Sequence, residues 1–411
     1  MIHSSFYKPN IFPIQGLGTH NEIDRAQSID PSVSLNRDKI EEIGRDGVVG
    51  YLKATPSVTY ALSQYEYGSI TFWQEVANVP SKGGVGEDAI VLNDFKTPYF
   101  DICAYLTDDD GTFRGTLVYP ALRPSGFSFT IGDPAGIIER SFDFIGESAI
   151  IYQGDNKYYI AGSHTAGSGD DNEIDLSAKA PVEDPDNAGE YMVRVVRVKA
   201  GVTTELVRDT DYSYSSITEI LTITSITTAD VIKYWYSSGT APDSQFTPND
   251  SDASAIRGDS ASVYLYVPAS GKPSSSDYIY RLQSVTIEAS FDREDLREIG
   301  NKEVVQRGVT DKTVTVTLGR ILEQFTVEEV LRGVATGYGK IDVSLFSDEI
   351  TLIAKVYTDN TKDTLGYGFI ATGLSPTDIG NAAGVNEYVS SEGTLEGEDL
   401  SLTEDSTLLG I

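Results

Sequence analysis

The segment SLNRDKIEEIG, Ser34 to Gly44, recurs 256 residues later as SFDREDLREIG, Ser290 to Gly300. A self-similar segment at a constant offset marks an internal repeat, and a repeat decides the architecture. The stretches downstream of the two copies also match in kind. TPSVTYALSQYEYG and KTVTVTLGRILEQF both alternate with the period of a half-buried strand. FWQEVAN (Phe72 to Asn78) and TVEEVLRG (Thr326 to Gly333) read as short helices sharing a Glu-Val pair. FDICAYLTDDDGTFRGTLVYPAL and ITLIAKVYTDNTKDTLGYGFIATGL read as strand, Asp/Asn/Gly turn and strand. Each copy then passes a Gly/Pro-containing link, PSGFSFTIGDPAG or SPTDIGNAAG, and closes on a strand ending in Gly-Glu. The preserved order of elements predicts a tandem duplication.

Between the copies the character changes. GSHTAGSGDDNE opens a stretch in which Val, Ile, Thr and Tyr alternate between short turns, as a β-meander does. A second polar loop, TAPDSQFTPNDSDASAIRGDS, leads to SVYLYVP and YRLQSVTIEAS, which feed directly into the second copy. The expected division is a first domain over 1–150, an inserted β-rich module over 151–259 and a second domain over 260–411. The chain is long enough for each to bury a core.

Charge is the strongest bulk property. Sixty-two acidic against 31 basic residues give a net charge of −31. Residues 341–411 hold 13 acids against Lys355 and Lys362 alone. Such a chain repels nucleic acid and anionic membranes, and the same acid also keeps a surface soluble. No apolar run approaches the roughly 20 residues of a membrane-spanning helix. MIHSSFYKPNIFPIQG lacks the charged-then-apolar pattern of a secretory leader, so classical secretion is not expected. A lone cysteine, Cys103, lies in the apolar stretch FDICAYL and reads as a buried thiol.

Residues that could carry chemistry do not assemble into a site. His3, His20 and His164 stand alone, without metal or triad spacing. Asp108-Asp109-Asp110 begins like a calcium loop, but Gly111 comes at once and no glutamate stands at the required distance; a hairpin turn accounts for it. Arg257-Gly258-Asp259 sits among Ser and Asp as a plain loop would. No carboxylate pair stands out. The expectation is a chain that is not an enzyme and takes no cofactor and no metal.

Specificity therefore lies in the repeated element. Arg37, Ile40, Ile43 and Gly44, with Arg293, Leu296, Ile299 and Gly300, read as a charged corner with two apolar anchors and a terminal glycine. Such a corner either packs inward as a turn or docks on a neighbouring subunit. The strand, the charged corner, the alternating strand, the short helix, the hairpin and the Gly-linked final strand together resemble the major tail tube proteins of long-tailed bacteriophages (siphophages). Two copies in one chain resemble the T-five-like subgroup of that family.

The resemblance implies a mainly β fold of two tandem tail-tube-type β-sandwich domains, each with a short helix, plus the inserted decoration module. It implies a homotrimeric ring of pseudo-sixfold symmetry, stacked into a tube in the virion tail. Its partners would be itself, other tail proteins at the ends, and DNA that passes without specific binding during genome ejection. The corner residues would lie at subunit or ring contacts. Glu66, Glu139, Asp143, Asp342 and Glu387 are the candidates for an acidic lumen. Two alternatives are an extracellular β-rich adhesin or receptor-binding module, using the 24 tyrosines as a recognition surface, and another ring-forming tail component.

Overall fold

The computed structural model describes residues 7–13, 21–23, 25–41, 48–53, 55–108, 112–167, 172–200, 202–241, 254–268, 278–279, 281–296, 306–322, 325–334, 339–347, 349–383 and 388–410. The fold is mainly β. The first unit comprises β1 (Tyr7–Pro13), β2 (Asn21–Glu22), β3 (Ala26–Ser34), β4 (Arg37–Glu41), β5 (Val48–Lys53), β6 (Ser57–Tyr65), helix α1 (Thr71–Ala77), β7 (Ile90–Val91), β8 (Phe100–Thr107), β9 (Phe113–Ile131), β10 (Glu139–Gly146) and β11 (Ile150–Tyr152). An inserted module supplies β12 (Tyr158–Thr165), β13 (Glu173–Asp175), β14 (Met192–Lys199), β15 (Val202–Glu205), β16 (Tyr212–Ser215), β17 (Ile220–Ile223) and β18 (Val231–Ser238). The second unit comprises β19 (Ala261–Tyr266), β20 (Leu282–Leu296), β21 (Gln306–Ile321), helix α2 (Thr326–Arg332), β22 (Ile350–Tyr357), β23 (Leu365–Ala382), β24 (Ser390–Gly397) and β25 (Asp399–Thr403).

Alternation sets the strands. In β6, Val58, Tyr60 and Leu62 are buried between exposed Ser57 and Thr59 and half-buried Ala61. In β21, Val314 and Val316 take the same inward positions. Each helix is stopped by a left-handed residue: Asn78 (φ 55°) closes α1 and Gly333 (φ 67°) closes α2.

The two units share one pairing scheme. In the first, β3 pairs β6, β6 pairs β10, β10 pairs β9, and β9 also pairs β8 and β11, while β1 pairs β8. In the second, β20 pairs β21, β21 pairs β24, β24 pairs β23, and β23 also pairs β22 and β25, while β19 pairs β22. Even the irregularities coincide. Bulges fall at Gln27 and Gln283, and again at Ser125 and Thr377. β9 and β23 each serve two sheets, crossing between them beside a positive-φ residue, Ala121 (53°) or Gly373 (65°). The stretches expected as Gly/Pro links after the hairpins are thus the second halves of these long strands. The bulge lets the strand bend without breaking its ladder.

The repeated segment also differs from the expected corner. Arg293–Leu296 continue β20 along β21, and Arg37–Glu41 form β4 against β5; both are outgoing arms of hairpins. Arg293 faces Val309 and Arg37 faces Lys53, so the arms keep the same register. Charged residues at successive positions of each arm hide its strand period.

The units fuse into one body. The second half of β9 pairs β20, from Ile131↔Val285 to Gly126↔Ser290, while β7 pairs β25. A common core joins them: Trp73 meets Phe127 and Phe142 of the first unit and Phe369 of the second at 4.7–5.5 Å between ring centroids. The first unit's strands run to Tyr152, and Ile256 returns to it, its N–H donating to the Glu66 carbonyl and its carbonyl accepting from Ile138.

The module has its own two sheets, β12-β18-β14-β15 and β13-β17-β16, with a core between them that includes Ile160, Leu221, Ile232 and Tyr236. It is seated on the first unit. Tyr159, Val196 and Trp235 pack against Cys103, Tyr105 and Val118. The buried Asp101 carboxylate accepts from the Tyr159 hydroxyl, from Arg194 at 3.0–3.1 Å and from the Ala121 amide at 2.9 Å.

Candidate functional site

The joint between the units creates a continuous eight-stranded surface in the order β3-β6-β10-β9-β20-β21-β24-β23. One face is core. The other presents hydroxyls and carboxylates. Ser28, Ser63, Ser141 and Ser128 stand in one register row leading to Glu288. Their hydroxyls pair across strands, Ser28 with Ser63 at 2.7 Å and Ser128 with Ser141 at 2.8 Å. Asp30, Glu139, Asp143, Glu288, Asp378, Glu392 and Glu396 are all exposed here. Partial burial moves the Asp143 carboxyl above its ordinary range. Between the two bulges, the described residues of this face include no lysine or arginine. Arg123 stands just outside, where β9 crosses to the sheet it shares with β8, with its guanidinium 4.9 Å from the Tyr99 ring.

Of the expected lumen carboxylates, the structure brings together Glu139 and Asp143, which share this face on β10. Glu66 is corrected: it is fully buried. Its Oε1 accepts from the Tyr67 and Gly68 amides at 2.8 and 2.7 Å, and its Oε2 from Tyr367 at 2.7 Å and Arg140 at 3.2 Å. Trp73 Nε1 donates to the Tyr367 hydroxyl at 3.2 Å. Glu66 is thus a structural anion between the units. Burial and the Glu66 charge together push the Tyr367 phenol well above its usual range. Asp342 is half-buried and caps the single turn Val343–Leu345, accepting from Ser344 N–H at 3.1 Å. Glu387 lies outside the described residues.

The repeated segments resolve unevenly. Ile43, Gly44, Ile299 and Gly300 lie outside the described residues. Ile40 is described only as part of the β4 backbone. Leu296 is exposed near the tip of its arm. Arg293 is at a contact, but one within the chain: its Nε donates to the Pro124 carbonyl at 2.6 Å, and its two Nη groups to the Lys96 and Phe95 carbonyls at 3.0 and 3.2 Å. Arg37 is exposed.

The eight-stranded surface ends in two edges. Among the described strands, β3 pairs only β6, and Ser375–Ala382 of β23 pair only β24. These edges are the counterparts of the two strands that meet at the joint. By the shared pairing scheme, β3 corresponds to β20 and the second half of β23 to the second half of β9. At the joint Phe127, Phe129, Ile287 and Ala289 are buried; at the edges Val33 is exposed, and Pro31 and Ile379 are half-buried.

Other chemical candidates are absorbed by structure. Burial pushes the Cys103 thiol well up from its ordinary value. Asp108 is held by the Thr112 amide at 2.9 Å and by Arg114, a hairpin arrangement. Gly258–Ser260 form a single 3-10 turn, with Arg257 3.5 Å from Asp259. No described helix is long and apolar enough to cross a membrane.

No protein-family profile matches the chain, and no curated protein matches it by sequence. Among solved structures, the chain is similar to a chain from the six-fold symmetrised structure of the anti-feeding prophage baseplate. The two share 10% identity at a TM-score of 0.28, over 35% of this chain and 91% of that one.

Proposed function

We propose that this chain is a structural subunit of a viral tail tube, in which three copies join head to tail into a pseudo-sixfold ring and rings stack into a conduit for DNA. The observation that carries this reading is the β9–β20 joint. It is a sheet-to-sheet seam whose two sides recur, unmated, at the ends of the same eight-stranded surface. Repeating the seam pairs Asp378–Ala383 of one chain with Ile29–Ser34 of the next. Exposed edges invite such pairing and are a liability if left open. A head-to-tail contact that closes on itself makes a ring, and a closed sheet has no edge left.

On this reading the hydroxyl and carboxylate face lines the bore. Phosphate binding requires Lys or Arg to replace condensed counterions, and this wall offers acids in their place. DNA within a Debye length of roughly 8 Å is repelled and passes without being held. The hairpin arms carrying Arg37 and Arg293 serve ring contacts, and the inserted module decorates the outside. The proposed role needs no catalytic site, cofactor or membrane, and its location is the virion tail, with other tail proteins at the tube's ends.

The register supplies a direct test. Ser32 and Gly380 occupy the places of Glu288 and Ser128, which face each other at the joint. A Cβ on Gly380 meets nothing within 4 Å, and directly paired strand residues lie within disulfide reach. The S32C/G380C chain is expected to form interchain disulfides, with a closed three-chain species predominating and rings or tubes visible by electron microscopy. Chains that stay monomeric and uncrosslinked at high concentration overturn the reading.

A further inference from the structure

Arg37 and Arg293 occupy the same place on the two hairpin arms, yet among the described residues only Arg293 meets its counterpart surface within the chain. That surface is specific. Three backbone carbonyls, of Phe95, Lys96 and Pro124, receive one guanidinium. Beside it the Phe291 ring stacks on Phe95 at 6.3 Å. Leu92 and Phe95 are the buried residues of the single turn Leu92–Phe95 that precedes β8.

The second unit carries the same surface uncovered. The turn Val343–Leu345 precedes β22 as Leu92–Phe95 precedes β8. With β8 aligned on β22, Leu345 and Phe346 fall at the places of Phe95 and Lys96. Pro376 falls at the place of Pro124, each proline standing next to its strand's bulge. Val343 and Leu345 are 66% and 51% exposed, where Phe95 is 0%. On the other side, Leu35 takes the place of Phe291 and is 53% exposed. Two apolar surfaces and one arginine therefore stand open at opposite ends of a chain whose middle shows how they fit.

We infer that Arg37 stitches one copy of this chain to the next, donating to the Leu345, Phe346 and Pro376 carbonyls of a second copy while Leu35 packs on Leu345. The inference rests on the head-to-tail ring proposed above and names the groups that hold its seam. A guanidinium suits the task because its donors diverge in a fixed plane and remain charged, whereas a lysine ammonium is a single point. Hydrogen bonds from a charged donor are among the stronger ones a seam can hold.

The test uses the full chain and compares wild type with Arg37→Ala, Arg37→Lys and Leu345→Asp. Mass photometry or sedimentation gives the concentration at which rings fall apart, and thermal melting below that concentration reports the monomer. R37A and L345D are expected to raise the dissociation concentration tenfold or more, with R37K between R37A and wild type and monomer melting unchanged. If wild type forms rings and R37A rings dissociate at the same concentration, the stitch is overturned and the ring stands. A wild-type chain that remains monomeric throughout removes the ring itself and this inference with it. An R37A chain whose monomer melts lower by the same margin as its rings assigns Arg37 to the fold of its own arm and also overturns the stitch.

Discussion

Glu66 and Arg140 face each other at 3.2 Å with neither side chain exposed to solvent. Burial alone disfavours the Arg140 charge, but Glu66, with Tyr367 and Tyr67, holds its pKa above the ordinary value. The guanidinium also lies 5.1–6.0 Å from the Tyr67, Phe72 and Trp73 rings. Removing one member strands the other as an unpaired buried charge. Glu66→Ala is expected to lower the unfolding free energy by about 3–5 kcal/mol. Pairing it with Arg140→Met should recover part of that loss. Denaturant titration decides, and a loss below about 1 kcal/mol for the single variant would sink the account.

The module is not detachable without cost. Deleting residues 157–240 uncovers Cys103, Tyr105 and Val118 and takes Tyr159 and Arg194 from buried Asp101. The truncated chain is expected to melt lower and aggregate, because an unpaired buried carboxylate and an exposed apolar patch are both unfavourable. Adding Asp101→Asn, which keeps an acceptor for the Ala121 amide, should restore part of the melting temperature. Equal melting of the simple deletion and the full chain would contradict this.

Lys233 is buried in the module, and burial pushes its pKa down to about 8. Between pH 8 and 10 the unfolded chain keeps this proton while the folded chain releases it, so stability from this group rises with pH. Relative to Lys233→Met, the wild type should therefore gain about 2 kcal/mol across that window. Above it, buried Tyr105 and Tyr159, whose pKa values burial raises, act in the opposite sense. A difference between the two proteins that is flat in pH would refute the assignment.

The acidic face makes its own prediction. Replacing Glu139, Glu288 and Glu396 by lysine should leave folding nearly unchanged, since exposed substitutions usually cost within about 0.5 kcal/mol each. It should also create retention of double-stranded DNA that weakens steeply as salt rises. Wild type should show no retention under the same conditions. If both proteins behave alike, the sign of this wall is unimportant to DNA.

Much of the fold was legible. Strand alternation in TYAL and VTVTL, the Glu-Val helices and the order of elements survive because each unit must bury the same face. Less legible was what depends on distant partners. Glu66 falls in phase with buried Val58, Tyr60 and Leu62, but its charge makes it read as exposed; the side chains that pair it, Arg140 and Tyr367, lie 74 and 301 residues away. The hairpin arms read as corners because charged residues at successive positions erase the period. The β9–β20 seam left no local trace, since Gly126, Ser128 and Thr130 would look the same on a free edge. The signal that could have exposed it was the proline pair, Pro124 and Pro376, at equal distances from equivalent bulges.

The shared core around Trp73 has a geometric consequence. Trp73 packs on Phe369 and Glu66 accepts from Tyr367, so the two units are clamped through one core. The proposed ring, made by repeating one seam, would take its curvature from the way that core sets the two units, so the number of units that close would be set inside the monomer. Subunit contacts then need only copy a bend already cast in the interior. A change in side-chain volume at Trp73 or Phe369 would alter circumference before it altered affinity, and would show as rings of the wrong size or as open spirals.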